Sequence, residues 1–126
     1  MPRSTILVID DEPNILTTVR RSLELEGYAV EVAGSGAAGL AKLAEKDVDL
    51  VLLDVMMPGK SGWEVARALK QDPATQDVKI VMVSAIGEKT NEITAPIYGA
   101  DAHVDKPFEF DHLERVIAHL LLGDAS

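Results

Sequence analysis

Short apolar runs alternate along this chain with longer segments in which apolar residues recur at helical spacing. Three of the runs are continuous, and the first of them is also rich in β-branched residues, which is typical of a strand buried on both faces. A fourth run alternates between apolar and other residues, and a fifth is weaker. Strands are therefore predicted at residues 6–9, 29–33, 50–53, 79–83 and 102–104.

The segments between the strands carry helix signals. Pro13 opens the first helix, where a missing N–H costs nothing, and Gly27 ends it. Ser35 is placed to cap the second helix. A helix is also expected at about residues 89–98, and the last one at about 111–122. The pattern is five βα units.

Five strands that alternate with helices predict an α/β fold with a parallel sheet covered by helices on both faces. Residues 1–126 form one domain in this prediction, with a core at about 5–122. The length suits one domain, and a hydrophobic fraction of 47% provides a packed core and excludes disorder.

The composition excludes several classes of function. With 21 acidic and 12 basic residues the net charge is −9, which argues against nucleic acid or an anionic membrane as a direct partner. No cysteine is present, which excludes disulfides and thiolate chemistry. No apolar run approaches the roughly 18 residues of a membrane span. A cytoplasmic protein is expected.

Reactive side chains follow four of the five predicted strands. The first strand ends in Asp10 and Asp11, the third in Asp54, the fourth in Ser84 and the fifth in Lys106. Ligands of parallel α/β sheets bind beyond the carboxyl ends of the strands, where the strand order reverses. We therefore expect these groups to converge. The second strand ends in nothing reactive, which suits an edge position.

Three converging carboxylates cannot all stay ionised without a cation, and oxygen ligands of this kind select Mg²⁺. Lys106 supplies a positive charge for a phosphoryl oxygen, and Ser84 supplies a hydroxyl donor. Asp54 is the best candidate nucleophile, because a carboxylate can accept a phosphoryl group as an acyl phosphate.

Over about residues 6–122 the chain resembles the receiver domain of two-component response regulators. The resemblance implies a flavodoxin-like (βα)5 fold with strand order 2-1-3-4-5. The motifs that carry it are LVIDDE at 7–12, DVMMP at 54–58 followed by Gly62, VSA at 83–85, GAD at 99–101 and KPF at 106–108.

The resemblance implies a phosphorylation-activated switch rather than an enzyme. Asp54 would accept a phosphoryl group from the phosphohistidine of a sensor histidine kinase or phosphotransfer protein. For Mg²⁺ it implies direct binding by Asp11 and Asp54, binding through water by Asp10, and the backbone carbonyl of Met56 as a further ligand.

The resemblance also implies how the switch works. Ser84 and Lys106 would each bind a phosphoryl oxygen, and residue 103 would swing inward as Ser84 moves. The bond before Pro107 would be cis. His103 stands where Tyr or Phe is usual, so it is either a polar switch residue or a partly exposed strand histidine with no role.

The output of the switch is less defined. The signal would pass to a downstream effector or to a missing output domain. Pro96 falls within the helix expected at 89–98, which would be short and kinked or would begin late, and this predicts atypical partner recognition. Met56 and Ile86 cannot orient an attacking water, so slow autodephosphorylation is expected.

Three other functions compete with this interpretation. A haloacid dehalogenase type hydrolase needs an Asp two residues after its nucleophile, where this chain has Met56. A flavodoxin-like cofactor binder needs a Ser, Thr and Gly loop after the first strand, where this chain is acidic. A degenerate receiver that acts only as an interaction module would not need the complete set of acidic, hydroxyl and lysine positions.

Overall fold

The computed structural model describes residues 4–55, 62–85, 100–106 and 108–122. The strands in these ranges are β1 (Thr5–Ile9), β2 (Ala29–Ala33), β3 (Leu50–Asp54), β4 (Lys79–Ala85) and β5 (Ala102–Lys106). The helices are α1 (Pro13–Leu25), α2 (Gly36–Glu45), α3 (Gly62–Gln71) and α4 (Phe110–Leu122). The helix expected at 89–98, with Pro96, lies outside the described residues.

The five strands form one parallel sheet in the order β2-β1-β3-β4-β5. The chain reverses its direction of progress across the sheet between β1 and β3, and β2 occupies one edge. The predicted fold class and strand order are therefore confirmed. The reversal places the ends of β1 and β3 side by side.

Each face of the sheet buries its own apolar layer, because successive residues of a strand point to opposite faces. The layer beneath α2 and α3 contains Leu7, Ile9, Val51, Leu53, Ile80, Met82, Val65, Ala66 and Leu69. The layer beneath α1 and α4 contains Ile6, Val8, Leu50, Leu52, Val81, Val83, Val19, Leu23, Leu113 and Ile117. Burial on both faces explains why the central strands are continuously apolar.

The helix signals of the sequence act as predicted. Pro13 is the first residue of α1. The Ser35 hydroxyl accepts a hydrogen bond of 3.1 Å from the Ala38 N–H and caps α2. Gly27 follows α1 with φ of 99°, a conformation that favours glycine. These residues fix where the first two helices begin or end relative to the sheet.

The ladder between β4 and β5 is longer than predicted. It continues through the pairs Ser84 with Asp105 and Ala85 with Lys106, two residues past each predicted strand end. Ser84 and Lys106 therefore lie within strands, which restricts their backbones. Among the helices that the structure describes, none is long and apolar enough to cross a membrane.

Candidate functional site

Three carboxylates meet at the carboxyl edge of the sheet. Asp10 directly follows β1, Asp11 comes next, and Asp54 is the last residue of the neighbouring β3. One carboxylate oxygen from each residue lies within 4.8 Å of those of the other two. Asp10 and Asp54 are buried, whereas Asp11 is exposed. The cluster is therefore reached from solvent on the Asp11 side.

Lys106 extends from the end of β5 into this acidic cluster. Its Nζ donates a hydrogen bond of 3.1 Å to Asp10 Oδ2 and lies 3.5 Å from Asp54 Oδ2. Burial alone would lower the pKa of Lys106, but the hydrogen bond to Asp10 and the nearby carboxylate charges outweigh it and raise the pKa. Lys106 is therefore an ammonium at neutral pH.

Asp10 has a partner for each of its carboxylate oxygens. While Oδ2 accepts from Lys106, Oδ1 accepts a hydrogen bond of 2.9 Å from the Glu12 N–H. This second bond orders the turn that leads from β1 into α1. Asp10 is thus held in place, whereas the neighbouring Asp11 side chain is exposed.

The donor set fits a hard divalent cation. All three clustered side chains offer carboxylate oxygens, and one ammonium cannot compensate three negative charges. Mg²⁺ is typically held by one or two carboxylates with water and phosphate oxygens completing its shell. Asp10, Asp11 and Asp54 can hold such an ion. Met56, expected to add a carbonyl, lies outside the described residues.

Gly62 brings the start of α3 against the backbone of the candidate phosphoacceptor. Its N–H donates a hydrogen bond of 3.0 Å to the Val55 carbonyl. A Cβ on Gly62 would overlap the Asp54 carbonyl oxygen and lie 2.8 Å from Val55 Cα. Gly62 is part of the motif that follows Asp54, and this close approach is the physical reason why a glycine is needed there.

Ser84 and His103 are hydrogen-bonded across β4 and β5. The Ser84 Oγ lies 2.6 Å from His103 Nε2, Ser84 is buried, and the His103 side chain is 13% exposed. His103 therefore already contacts Ser84 in this structure, and its inward swing into the space that Ser84 would vacate stays a prediction. His103 is a partly exposed strand residue that contacts Ser84, and its role in switching stays a prediction.

Asp105 belongs to the same group and was missed by the sequence reasoning. Its Oδ1 lies 3.7 Å from His103 Nδ1. Residues two apart in a strand point to the same face, so the pair His103 and Asp105 was a detectable signal. Of the other predicted site positions, Pro107 and Ile86 lie outside the described residues.

A family model described as the response regulator receiver domain matches residues 6–118. Among curated proteins, the phosphate regulon transcriptional regulatory protein PhoB of Pseudomonas aeruginosa is 42% identical over 108 residues, which cover 86% of this chain and 47% of that protein. The transcriptional regulatory protein ResD of Bacillus subtilis is 43% identical over 103 residues, covering 82% of this chain and 42% of that protein. The chain spans about half the length of the curated relatives it matches.

Solved structures share the same architecture. The chemotaxis protein CheY4 of Vibrio cholerae superposes on this chain with a TM-score of 0.91 at 27% sequence identity. The superposition covers 95% of this chain and 100% of the CheY4 chain. The response regulator TrrA of Thermotoga maritima, solved in complex with Mg²⁺-BeF, gives a TM-score of 0.83 at 37% identity and covers 94% of this chain and 99% of that one.

Proposed function

Because this chain belongs to the response regulator receiver domain family of two-component systems, we propose that it is a phosphorylation-activated switch whose phosphoacceptor is Asp54. One observation carries the proposal. The buried Asp54 carboxylate lies in a cluster with Asp10 and Asp11 and 3.5 Å from the Lys106 ammonium. A nucleophile, a divalent cation site and a cation for phosphoryl oxygens are thereby combined at one edge of the sheet.

The proposed reaction is a phosphoryl transfer from the phosphohistidine of a sensor histidine kinase or phosphotransfer protein. An Asp54 carboxylate oxygen forms a bond to phosphorus while the phosphorus–nitrogen bond breaks, and the leaving imidazole nitrogen keeps the electron pair and binds a proton from solvent. Lys106 stabilises charge on the phosphoryl oxygens. Bound Mg²⁺ would neutralise charge that otherwise repels the incoming phosphoryl group.

The geometry supports different parts for the two N-terminal aspartates. Asp10 is assigned binding to the ion through water, as the family resemblance implies, and the hydrogen bonds that both of its oxygens already accept support this assignment. Asp11 is exposed and free to turn toward the ion, so we assign it direct coordination together with Asp54. The Met56 carbonyl completes the protein ligands in this proposal. The TrrA structure carries Mg²⁺-BeF, and this supports the same chemistry here.

The conformational response is assigned to Ser84, His103 and Lys106. Ser84 donates to one phosphoryl oxygen and Lys106 pairs with another, so the phosphorylated form gains contacts that bias the packing between β4 and β5. A cis bond before Pro107 and slow autodephosphorylation, set by Met56 and Ile86, remain part of the proposal.

The signal passes from this domain to a downstream effector or an output domain. Curated relatives named as transcriptional regulators are about twice as long as the matched region, which supports an output domain. Transcriptional regulation is the function named for those relatives and is not assigned to this chain. The proposal keeps a cytoplasmic location, as expected from the sequence.

Intact-protein mass spectrometry tests the phosphoacceptor directly. The chain is incubated with Mg²⁺ and acetyl phosphate, and one phosphoryl group is expected to add. Asp54→Ala should abolish the addition, whereas Asp49→Asn should keep it, because Asp49 contacts the Thr5 N–H at the opposite edge. No addition to the wild-type chain would favour an interaction-only module instead.

A further inference from the structure

We propose that His103 and Asp105 hold the Ser84 hydroxyl in a hydrogen bond that competes with phosphoryl binding, so that this pair sets how readily the switch is activated. The inference rests on the proposed function, in which Ser84 donates to a phosphoryl oxygen. Asp105 is then a positioning residue that acts through His103 and does not itself touch the phosphoryl group.

The hydrogen bond lies in a sheltered part of the molecule. Ser84 is 1% exposed, its Oγ lies 2.6 Å from His103 Nε2, and the His103 side chain is 13% exposed. No buried polar side-chain atom among the described residues lacks a hydrogen-bond partner. A buried hydroxyl without a hydrogen-bond partner costs free energy, so the hydrogen bond to His103 is favoured while no phosphoryl group is present.

In this proposal the charge of Asp105, which lies beyond hydrogen-bond distance of His103, biases which atom of the Ser84–His103 pair donates. Its Oδ1 lies 3.7 Å from His103 Nδ1, and a carboxylate on that side favours the tautomer with the proton on Nδ1. The Nε2 atom then presents a lone pair to Ser84. In that tautomer the Ser84 hydroxyl donates its hydrogen to His103.

A serine hydroxyl has one hydrogen to donate, and phosphoryl oxygens only accept. Ser84 therefore cannot donate to His103 and to a phosphoryl oxygen at the same time. Phosphoryl binding must break the bond to His103, and the free energy of that bond is subtracted from the gain. A phenylalanine at position 103 would remove this competition, because its ring cannot accept the hydrogen bond from Ser84.

Binding of Mg²⁺ and beryllofluoride, as a stand-in for the phosphoryl group, measures the competition. His103→Phe removes the acceptor and should tighten binding about three- to tenfold, as expected for one ordinary hydrogen bond. His103→Gln keeps an acceptor at the same reach and should stay near the wild type. In an Ser84→Ala background, His103→Phe should give no gain.

The positioning role of Asp105 can be tested by NMR spectroscopy of the His103 ring. The ¹⁵N shifts of the His103 ring should report the Nδ1–H tautomer in the wild type. Asp105→Asn should reduce that preference and tighten beryllofluoride binding, and Asp105→Glu should restore both properties. A merely structural role of Asp105 would change thermal stability without changing the tautomer.

Four results separate the possible outcomes. An unchanged affinity in His103→Phe, or an equal gain with and without Ser84, would overturn the inference. A wild-type tautomer with the proton on Nε2 would overturn it as well. Absence of beryllofluoride binding in every variant would contradict the proposed function itself, and the inference with it.

Discussion

Lys106 donates a hydrogen bond of 3.1 Å to Asp10, a residue 96 positions earlier in the chain. The Lys106 side chain is 22% exposed and the Asp10 side chain 4%. The pair joins the ends of two strands, β1 and β5, that are not neighbours in the sheet. In addition to any contact with a phosphoryl group, Lys106 is therefore a counterion that holds the acidic cluster together.

Replacing this counterion should make stability depend on Mg²⁺. Without the metal, Lys106→Met leaves three clustered carboxylates without their ammonium, and the free energy of unfolding should fall by about 2 kcal/mol. Added Mg²⁺ should restore more stability to the variant than it adds to the wild type. Urea denaturation with EDTA and with excess Mg²⁺ measures both quantities.

Lys46→Met is the matched control for this change. Lys46 pairs with Glu31 at a side-chain exposure of 50% and belongs to a different part of the surface. Its loss should leave the Mg²⁺ increment at the wild-type value. Equal increments in wild type and Lys106→Met would show that Lys106 does not compensate the cluster.

The two adjacent aspartates should separate stability from metal affinity. Asp10→Ala removes acceptors from Lys106 and from the Glu12 N–H and should cost about 1–3 kcal/mol without Mg²⁺. Asp11→Ala removes an exposed carboxylate and should leave that free energy near the wild-type value. Both changes should weaken Mg²⁺ binding, measured through the fluorescence of Trp63, the one tryptophan of the chain.

Two results would contradict the roles assigned to Asp10 and Asp11. If Asp11→Ala destabilises the metal-free protein as much as Asp10→Ala does, the assignment of a structural role to Asp10 alone is wrong. If either variant keeps wild-type Mg²⁺ affinity, that residue is not part of the metal site.

The sequence predicted the placement of Asp10 and Asp54 because a general rule governs it. Continuous apolar runs locate strands buried on both faces, and parallel connections bring all carboxyl ends to one edge. Any residue that follows such a run must therefore lie at that edge. The strand order itself came from the family resemblance rather than from the pattern.

The contact between Ser84 and His103 could not be predicted from the sequence by such a rule. It depends on the lateral register of β4 against β5, in which Ser84 faces Asp105, and on a side-chain rotamer. Neither quantity is encoded in the spacing of apolar residues. The overlap that a side chain at Gly62 would cause was hidden for the same reason, since it involves the backbone of a different element.

Gly62→Ala should be far more harmful than an alanine at an open glycine. The new Cβ would collide with the Asp54 carbonyl oxygen and Val55 Cα, which are backbone atoms that cannot turn aside. We expect a loss of about 1–3 kcal/mol, the usual range for overpacking, and slower phosphorylation of Asp54. Gly34→Ala is the control, because no atom beyond its two chain neighbours lies within 4 Å of its added Cβ. Similar unfolding free energies for the two variants would refute the steric argument.

Glu31 should stabilise the protein in a pH-dependent way. Lys46 Nζ lies 3.2 Å from Glu31 Oε2 and Lys42 Nζ lies 3.3 Å from Oε1. The hydrogen bond from Lys46, helped by Lys42, lowers the pKa of Glu31 against a weaker opposing effect of burial. A carboxyl whose pKa is lower in the folded state stabilises that state above its unfolded pKa and loses the contribution as pH falls through the folded value.

Glu31→Gln should therefore reduce the free energy of unfolding at pH 7 by about 0.5 kcal/mol, the usual size for a partly exposed ion pair. The difference from wild type should disappear as the pH falls from about 5 to about 3, because both proteins then lack the charge. Urea denaturation at several pH values measures it, and high salt should shrink the pH 7 difference. A difference that is equally large at both ends of this range would mean that Glu31 stabilises the fold through an interaction that does not depend on its charge.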